Sequence, residues 1–352
     1  MTPSKSEPSP QTQRVRSKIV YYTVALLAWA MIWSGISKIA GVWSEPSDDV
    51  VLYCAHDLPF VEGLIADYGA ETGGRVTLVA DTEATKSLGL VRRIVAEADD
   101  PRADVFWNNE LLGTLDLAEQ GLLAPLDVPN AGRFPDQHRG EHWAGFGARA
   151  RVWILSADDG GPASAPPRPL LPSGPDFCVA DPLFGTTLTH AAVLWDRVGE
   201  RRFVDWFESL PEVGTRVVPG NAATRDLVAD GVCASGWTDT DDAFGAVDRG
   251  ADVRTEPVRV DGRAILIPNT VALVKGGPNP EAARRLADWL LSEAVERRLA
   301  AGPARQIPLG RLDGDDPLPS EVERLRPLVD DSVDLRGLLP PRRAAVEYLS
   351  GR

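Results

Sequence analysis

Between Asp48 and Gly121 the chain switches repeatedly between two hydrophobic periods, and this constrains its fold more than any other feature. DDVVLYC has the length and the β-branched, apolar character of a strand. The stretch from about Leu58 to Thr72 has helical spacing and stops at Gly73-Gly74. RVTLVAD is a second strand. TKSLGLVRRIVAEADD is a second helix, with Leu88, Val91, Ile94 and Val95 apolar. ADVFW is a short, wholly apolar third strand, and a helix over Leu111–Gln120 ends at Gly121. Such alternation predicts a parallel sheet with both faces covered, because each crossover helix must lie against the sheet.

The pattern resumes further on. RARVWIL reads as a strand and is followed by a proline-rich connector, GGPASAPPRPLLPSGP. FCVADP, TRVVPG and CASGWTD read as strands; about Thr186–Val198, FVDWFESL and AATRDLVAD read as helices. AILIPNTVALVKG leads into one long helix, PEAARRLADWLLSEAVERRLA, with Pro280 in its first turn and Asn279 as its N-cap. The tail from Pro303 is rich in proline and charge and predicts short helices at best. The chain has 352 residues, enough for two domains of ordinary size. The two α/β halves imply one cleft between two lobes.

Residues 1–18 are polar and basic, and from Ile19 the chain becomes apolar up to Lys38. That run is close to the ~20 residues a membrane helix needs. Basic residues precede it and SEPSDD follows, so the body is expected outside the cytoplasm, on the periplasmic or other extracytoplasmic face. With no clean A-x-A site and no cysteine close behind, residues 19–42 read as a signal anchor or a signal peptide, the anchor being favoured. The net charge is −14, although residues 1–45 are net positive. An acidic body repels nucleic acid and anionic membrane surfaces, so nucleic acid is dropped as a partner. Cys54, Cys178 and Cys233 lack the paired spacing of a zinc site and read as small buried hydrophobes. His56, His138, His142 and His190 are scattered. DQHRGEHW, which holds His138 and His142, reads as a solvated loop. There is no H-E-x-x-H, no Walker A loop and no nucleophile elbow, so no enzyme is expected.

In open α/β sheets ligands bind beyond the carboxyl ends of the strands. The loops there are Ala55–Pro59, Asp81–Lys86, Trp107–Glu110, Pro182–Thr189, Pro219–Ala222 and Thr238–Asp242, and they hold most of the conspicuous polar residues. Gly185 opens a helix whose free N–H groups lie beside the hydroxyls of Thr186 and Thr187, an arrangement that suits an anion or a plain N-cap. Asp239, Asp241, Asp242 and Glu110 offer carboxylate oxygens to a hard cation or to the ammonium or guanidinium group of an organic solute. Asp239 or Asp241 is read as lining the site, with capping left to Asp242. Glu83 either lines the site or starts a helix; Asn221 donates to a ligand or caps its helix. Trp107 and Trp237 end strands and either stack on a ligand or pack the core.

Several stretches, taken in order, resemble the ferric-ion-binding branch of the periplasmic type II solute-binding proteins. They are ETGGRV, DTEATKSLGLVRRIVAE, ADVFWNNE, GLLAPL, RARVWIL, DPLFGTTLTHAA, GWTDTDDA, IPNTVALVKGGPNP and LAAGPARQIPL. The resemblance runs from about Val50 to Leu309. It implies a two-lobed Venus-flytrap α/β fold, each lobe a mostly parallel sheet flanked by helices. Residues 48–147 with 263–300 form one lobe, and 148–262 with 301–352 the other. Hinges fall near Phe146–Arg151 and Arg263–Asn269. It also implies a monomeric binding component that hands a solute to an ABC transporter permease.

Members of that branch hold Fe³⁺ with an adjacent tyrosine pair, a histidine, a glutamate and a synergistic carbonate or phosphate. Here Asp241-Asp242 falls at the tyrosine pair, His56-Asp57 near the histidine and Asn109-Glu110 near the glutamate. The resemblance therefore implies Asp57, Glu110, Asp239, Asp241 and Asp242 as ligands to Fe³⁺ or a divalent ion. It places His56, Glu83, Asn109, Gly185, Thr186, Thr187 and Asn221 around them. Arg149 and Arg151 alternate on one strand, and Arg149 is taken as the anion partner. An organic cargo such as a phosphonate, polyamine or amino acid is the alternative. A membrane-anchored sensor or a hydrolase domain on the same fold is the second.

Overall fold

The computed structural model describes residues 49–56, 58–81, 88–157, 168–183, 185–314 and 316–351. The apolar segment 19–42, Asp57 and Glu83 lie outside the described residues. None of the described helices is long and apolar enough to cross a membrane.

The first part of the chain forms β1 (Asp49–Cys54), α1 (Leu58–Thr72), β2 (Arg75–Ala80), α2 (Leu88–Ala96), β3 (Val105–Asn108), α3 (Leu111–Glu119) and β4 (Leu123–Ala124). A long strand, β5 (Trp143–Ser156), crosses into the second part. There follow β6 (Phe177–Ala180), α4 (Gly185–Val198), α5 (Glu200–Ser209), β7 (Arg216–Val218), α6 (Asn221–Ala229), β8 (Ser235–Asp239), α7 (Thr240–Asp248) and β9 (Val253–Pro257). A small hairpin of β10 (Arg259–Val260) and β11 (Arg263–Ala264) precedes β12 (Leu266–Val274). The chain ends with α8 (Pro280–Leu290), α9 (Glu293–Ala301), α10 (Ser320–Leu325) and α11 (Leu339–Ser350).

The main sheet runs β2-β1-β3-β12-β5-β8-β6-β7, with β4 on β12 and β9 on β5. It is parallel at its flanks, where crossover helices join the strands, and antiparallel around β12 and β5. The sheet is therefore mixed rather than mostly parallel. Up to Ala150, β5 pairs with β12, and from Arg151 it pairs with β8. The β12–β5 register slips between Pro268 and Asn269.

Strand alternation sends side chains into two cores, one on each face of the sheet. Val50, Leu52 and Cys54 join one core with residues of α1, α6, α8 and α9. Tyr53 and Ala55 join the other with residues of α2, α3, α4, α5 and α11. In α5 the buried pair Phe203 and Phe207 is four residues apart, the spacing that places two side chains on one helical face.

Four local expectations are corrected. The long helix near the end breaks at Ser292, whose hydroxyl accepts from the Val295 N–H and starts α9 afresh. Asn279 does stand at the N-cap of α8, but its side chain makes no capping bond and donates to Asp104 Oδ2 at 3.0 Å. The tail is not confined to short helices. It ends in the twelve-residue α11, whose two prolines sit in the first turn, where a missing N–H is harmless. Nor do all three cysteines stay reduced: Cys178 of β6 and Cys233 after α6 form a disulfide with Cα atoms 6.1 Å apart, leaving Cys54 free and buried.

Candidate functional site

The carboxyl ends of β1, β3, β6, β7 and β8 supply His56, Asn109-Glu110, Gly185–Thr187, Asn221 and Asp239. The two buried arginines of β5 knit most of these residues together. Arg149, taken above as the anion partner, and Arg151 both enter the polar network. Residues two apart on a strand share a face.

Arg149 donates to the Asn109 carbonyl at 2.8 Å and to Asn269 Oδ1 at 3.1 Å, and it reaches His56 Nε2 at 2.9 Å. Its Nε lies 3.2 Å from Asp241 Oδ2. Gln306 Nε2 also meets His56 Nε2, at 2.6 Å. Both partners are donors, so that nitrogen serves as the acceptor.

Arg151, fully buried, donates to Asp239 Oδ1 at 2.8 Å and Asn221 Oδ1 at 3.1 Å. Asp239 also accepts from Thr186 Oγ1 at 2.5 Å and Asn221 Nδ2 at 2.9 Å. Thr187 Oγ1 donates to Asn221 Oδ1 at 3.0 Å. Gly185 begins α4 with φ +56°, a left-handed conformation that favours glycine. The expected cluster of Thr186, Thr187, Asn221 and Asp239 is thus a hydrogen-bonded unit.

Asp239, Asp241 and Asp242 bring one carboxylate oxygen each within 4.8 Å of one another. Among the described residues this is the one group of three or more acidic, histidine or cysteine side chains so gathered. The N-cap of α7 is Asp239, without a side-chain capping bond, rather than Asp242, and Asp241 Oδ1 accepts from the Asp242 N–H at 3.0 Å. Asp242 accepts from Thr238 Oγ1 at 3.2 Å and Arg225 Nη1 at 3.4 Å. Burial first, then the neighbouring Asp241 and Asp239, push the Asp242 carboxyl up to about 8.

Glu110 stands at the N-cap of α3. It accepts from the N–H groups of Leu112 and Gly113 at 2.6 and 2.7 Å, from Asn108 Nδ2 and from Thr189 Oγ1 of α4 at 3.1 Å. Among the described residues no phenol joins the acidic group. Burial first, and then its bond to Glu97, push the Tyr53 hydroxyl up to about 12, and Tyr68 packs on Trp289 in the core. Trp107 and Trp237 are buried in the aromatic packing. His138 is buried rather than solvated, and burial lowers its pKa to about 4.

Sequence reasoning did not single out Asn269, Gln306 or Arg225. Asn269 was the most readable of them, as the lone amide in the apolar run AILIPNTVALV. Gln306 is a tail residue that reaches the site because Ile307 bridges to Ala148 of β5, and no local pattern encodes that return.

No protein-family model matches the sequence, and no curated protein matches it. Solved structures do. Iron-bound HitA from Pseudomonas aeruginosa superposes with a TM-score of 0.70 at 19% identity, over 84% of this chain and 99% of that one. The apo ferric ion-binding protein A of Pasteurella haemolytica gives 0.71 at 18% identity, over 87% and 98%. The periplasmic binding protein AfuA from Actinobacillus pleuropneumoniae, with exogenous fructose-6-phosphate bound, gives 0.68 at 17% identity, over 86% and 98%. This chain therefore has the α/β fold of the type II periplasmic binding proteins, with ferric-ion-binding proteins among the solved structures it resembles.

Proposed function

We propose that this protein is the exported solute-binding component of an ABC importer, and that its cargo is a hard cation held by Asp239, Asp241 and Asp242 between two lobes. The observation that carries this reading is the convergence of those three carboxylates at the end of β8, on a fold whose solved examples include an iron-bound one. The donors are all oxygen, which suits Fe³⁺ or a hard divalent ion. The Cys178–Cys233 disulfide supports an oxidising, extracytoplasmic compartment.

The arginines shape how such a cation would be held. Arg149 lies against Asp241 and Arg151 against Asp239, so each already balances a carboxylate. A cation that takes Asp241 frees the Arg149 guanidinium for an accompanying anion such as carbonate or phosphate. Cation and anion then enter together, and the ligand closes the lobes by bridging them.

The test is thermal unfolding of the chelator-stripped full chain with Fe³⁺ or divalent ions, each with and without carbonate or phosphate. Binding to the folded state alone raises the melting temperature. The cation with its anion should give a larger rise than either alone, and Asp241→Ala should abolish it. An undiminished rise in that variant, or a rise with organic solutes only, would defeat the cation reading.

A further inference from the structure

The long strand β5 is interrupted at one residue. Phe146 pairs with Asn269 of β12 and Ala148 with Pro268, so Gly147 faces no residue across that ladder. A bulge of this kind bends a strand and adds twist. Ala148 turns to the returning tail, where it and Ile307 exchange N–H···O bonds at 2.7 Å. Gly147 has φ +45°, a conformation that favours glycine. An added Cβ there would lie 2.6 Å from Gln306 Oε1 and 2.9 Å from Leu299 Cδ1.

Side chains hold the peptide groups of this residue. The Gly147 N–H donates to Glu296 Oε1 at 3.2 Å, and its carbonyl accepts from Asn269 Nδ2. Asn269 is fully buried and also serves the cleft. Its Oδ1 accepts from Arg149 Nη2 at 3.1 Å, and its Nδ2 donates to Gln306 Oε1 at 2.7 Å and to the Phe146 carbonyl at 3.2 Å. Gln306 in turn donates to His56 Nε2. One amide therefore joins the cleft residues Arg149 and His56 to the bulge. Its two N–H hydrogens face three oxygens, so any movement of Arg149 or Gln306 redistributes the bonds on Gly147.

We propose that Gly147 is the pivot on which the cleft opens and closes, and that Asn269 is the positioning residue that ties cleft to pivot. The proposal rests on the two-lobed binding reading above, but not on the cargo being a cation. A ligand that draws on Arg149 changes the bond to Asn269 Oδ1. The same amide then changes its hold on the Gly147 carbonyl, which biases the pivot between its two arrangements.

The test places spin labels on the full chain at Glu62→Cys in α1 and Arg201→Cys in α5, both exposed, and reads their separation by pulsed electron paramagnetic resonance. Without any ligand the parent should show one dominant separation. Asn269→Ala should raise the population of other separations by about tenfold. Asn269→Asp, which keeps the acceptor for Arg149 and loses only the donor to Gly147, should do the same, as should Gly147→Ala. Asp104→Asn is the control, since Asp104 is also buried and holds Val51 and Asn279 away from the pivot. It should lower the urea midpoint and leave the distribution as in the parent. Folded Asn269 variants with the parent's distribution, or an equal spread in Asp104→Asn, would overturn the proposal. If Asn269→Ala does not fold, Asn269→Asp and Gly147→Ala decide. Ga³⁺ with carbonate, a diamagnetic stand-in for Fe³⁺, should narrow the parent's distribution more than that of Asn269→Asp. No change in the parent would defeat the cation reading and leave the ligand-free comparison standing.

Discussion

Asp242 makes the stability of this protein depend on pH in an uncommon direction. Most native carboxylates titrate lower when folded; this one is raised from 3.8 to about 8, by burial first and then by Asp241 and Asp239. Between about pH 4 and pH 8 the folded state therefore keeps a proton that the unfolded chain has released. Wherever the native state binds more protons, stability falls as pH rises, at most by about 1.4 kcal/mol per unit for one group. Over that window the ceiling is about 6 kcal/mol, and sharing of protons within the carboxylate cluster reduces it to roughly half. Asp242→Asn removes the titrating group and keeps an oxygen to accept from Thr238. Urea unfolding at pH 5 gives the baseline difference between variant and parent. At pH 8 that difference should have moved in the variant's favour by ~2 kcal/mol or more. If the two stability profiles run parallel from pH 5 to 9, the argument from burial and like charge is wrong.

Other substitutions probe the scaffold. Arg151→Met strands the buried Asp239 with only Thr186 and Asn221 as partners. It should cost about 3–5 kcal/mol in urea unfolding, much of it recovered by adding Asp239→Asn. A loss below about 1 kcal/mol would remove the pair from any structural role. Reduction of Cys178–Cys233, which are 55 residues apart, should lower unfolding free energy by about 4 kcal/mol, read by chemical denaturation with and without a phosphine reductant. At Gly236 an added Cβ would lie 2.5 Å from Thr224 Cγ2 and 2.9 Å from the Cys178 carbonyl, and neither the buried threonine nor the strand backbone can yield cheaply. Gly236→Ala should therefore destabilise by about 1–3 kcal/mol, and an unchanged denaturation midpoint would show that β6 and β8 have room to separate.

The fold was legible where one hydrophobic period was clean. FVDWFESL and PEAARRLADWL show a helical period in the residues themselves, and they became the body of α5 and all of α8. Legibility failed where a local rule had two readings. The glycines and alanines of WAGFGARA masked the first half of β5, because small residues are a poor strand signal even when buried. Pro340 and Pro341 looked like breakers but occupy the tolerant first turn of α11. The strand-end loops pointed to Asn221, Asp239 and Asp241 because the topology gathers such loops in space. The Cys178–Cys233 pairing and the return of Gln306 to His56 depend on long-range geometry that spacing does not record.

The position of β12 bears on how the chain is made. It sits between β3 and β5 in the sheet, yet it is the last strand to be synthesised. Until residues 266–274 emerge, β3 and β5 each present an open edge, and the pairing of Leu266 with Ala150 must close a long loop. Vectorial folding from the N-terminus therefore halts with the sheet in two incomplete pieces. The joining strand arrives well past the midpoint of the chain, so these two edges wait unpaired for most of its synthesis.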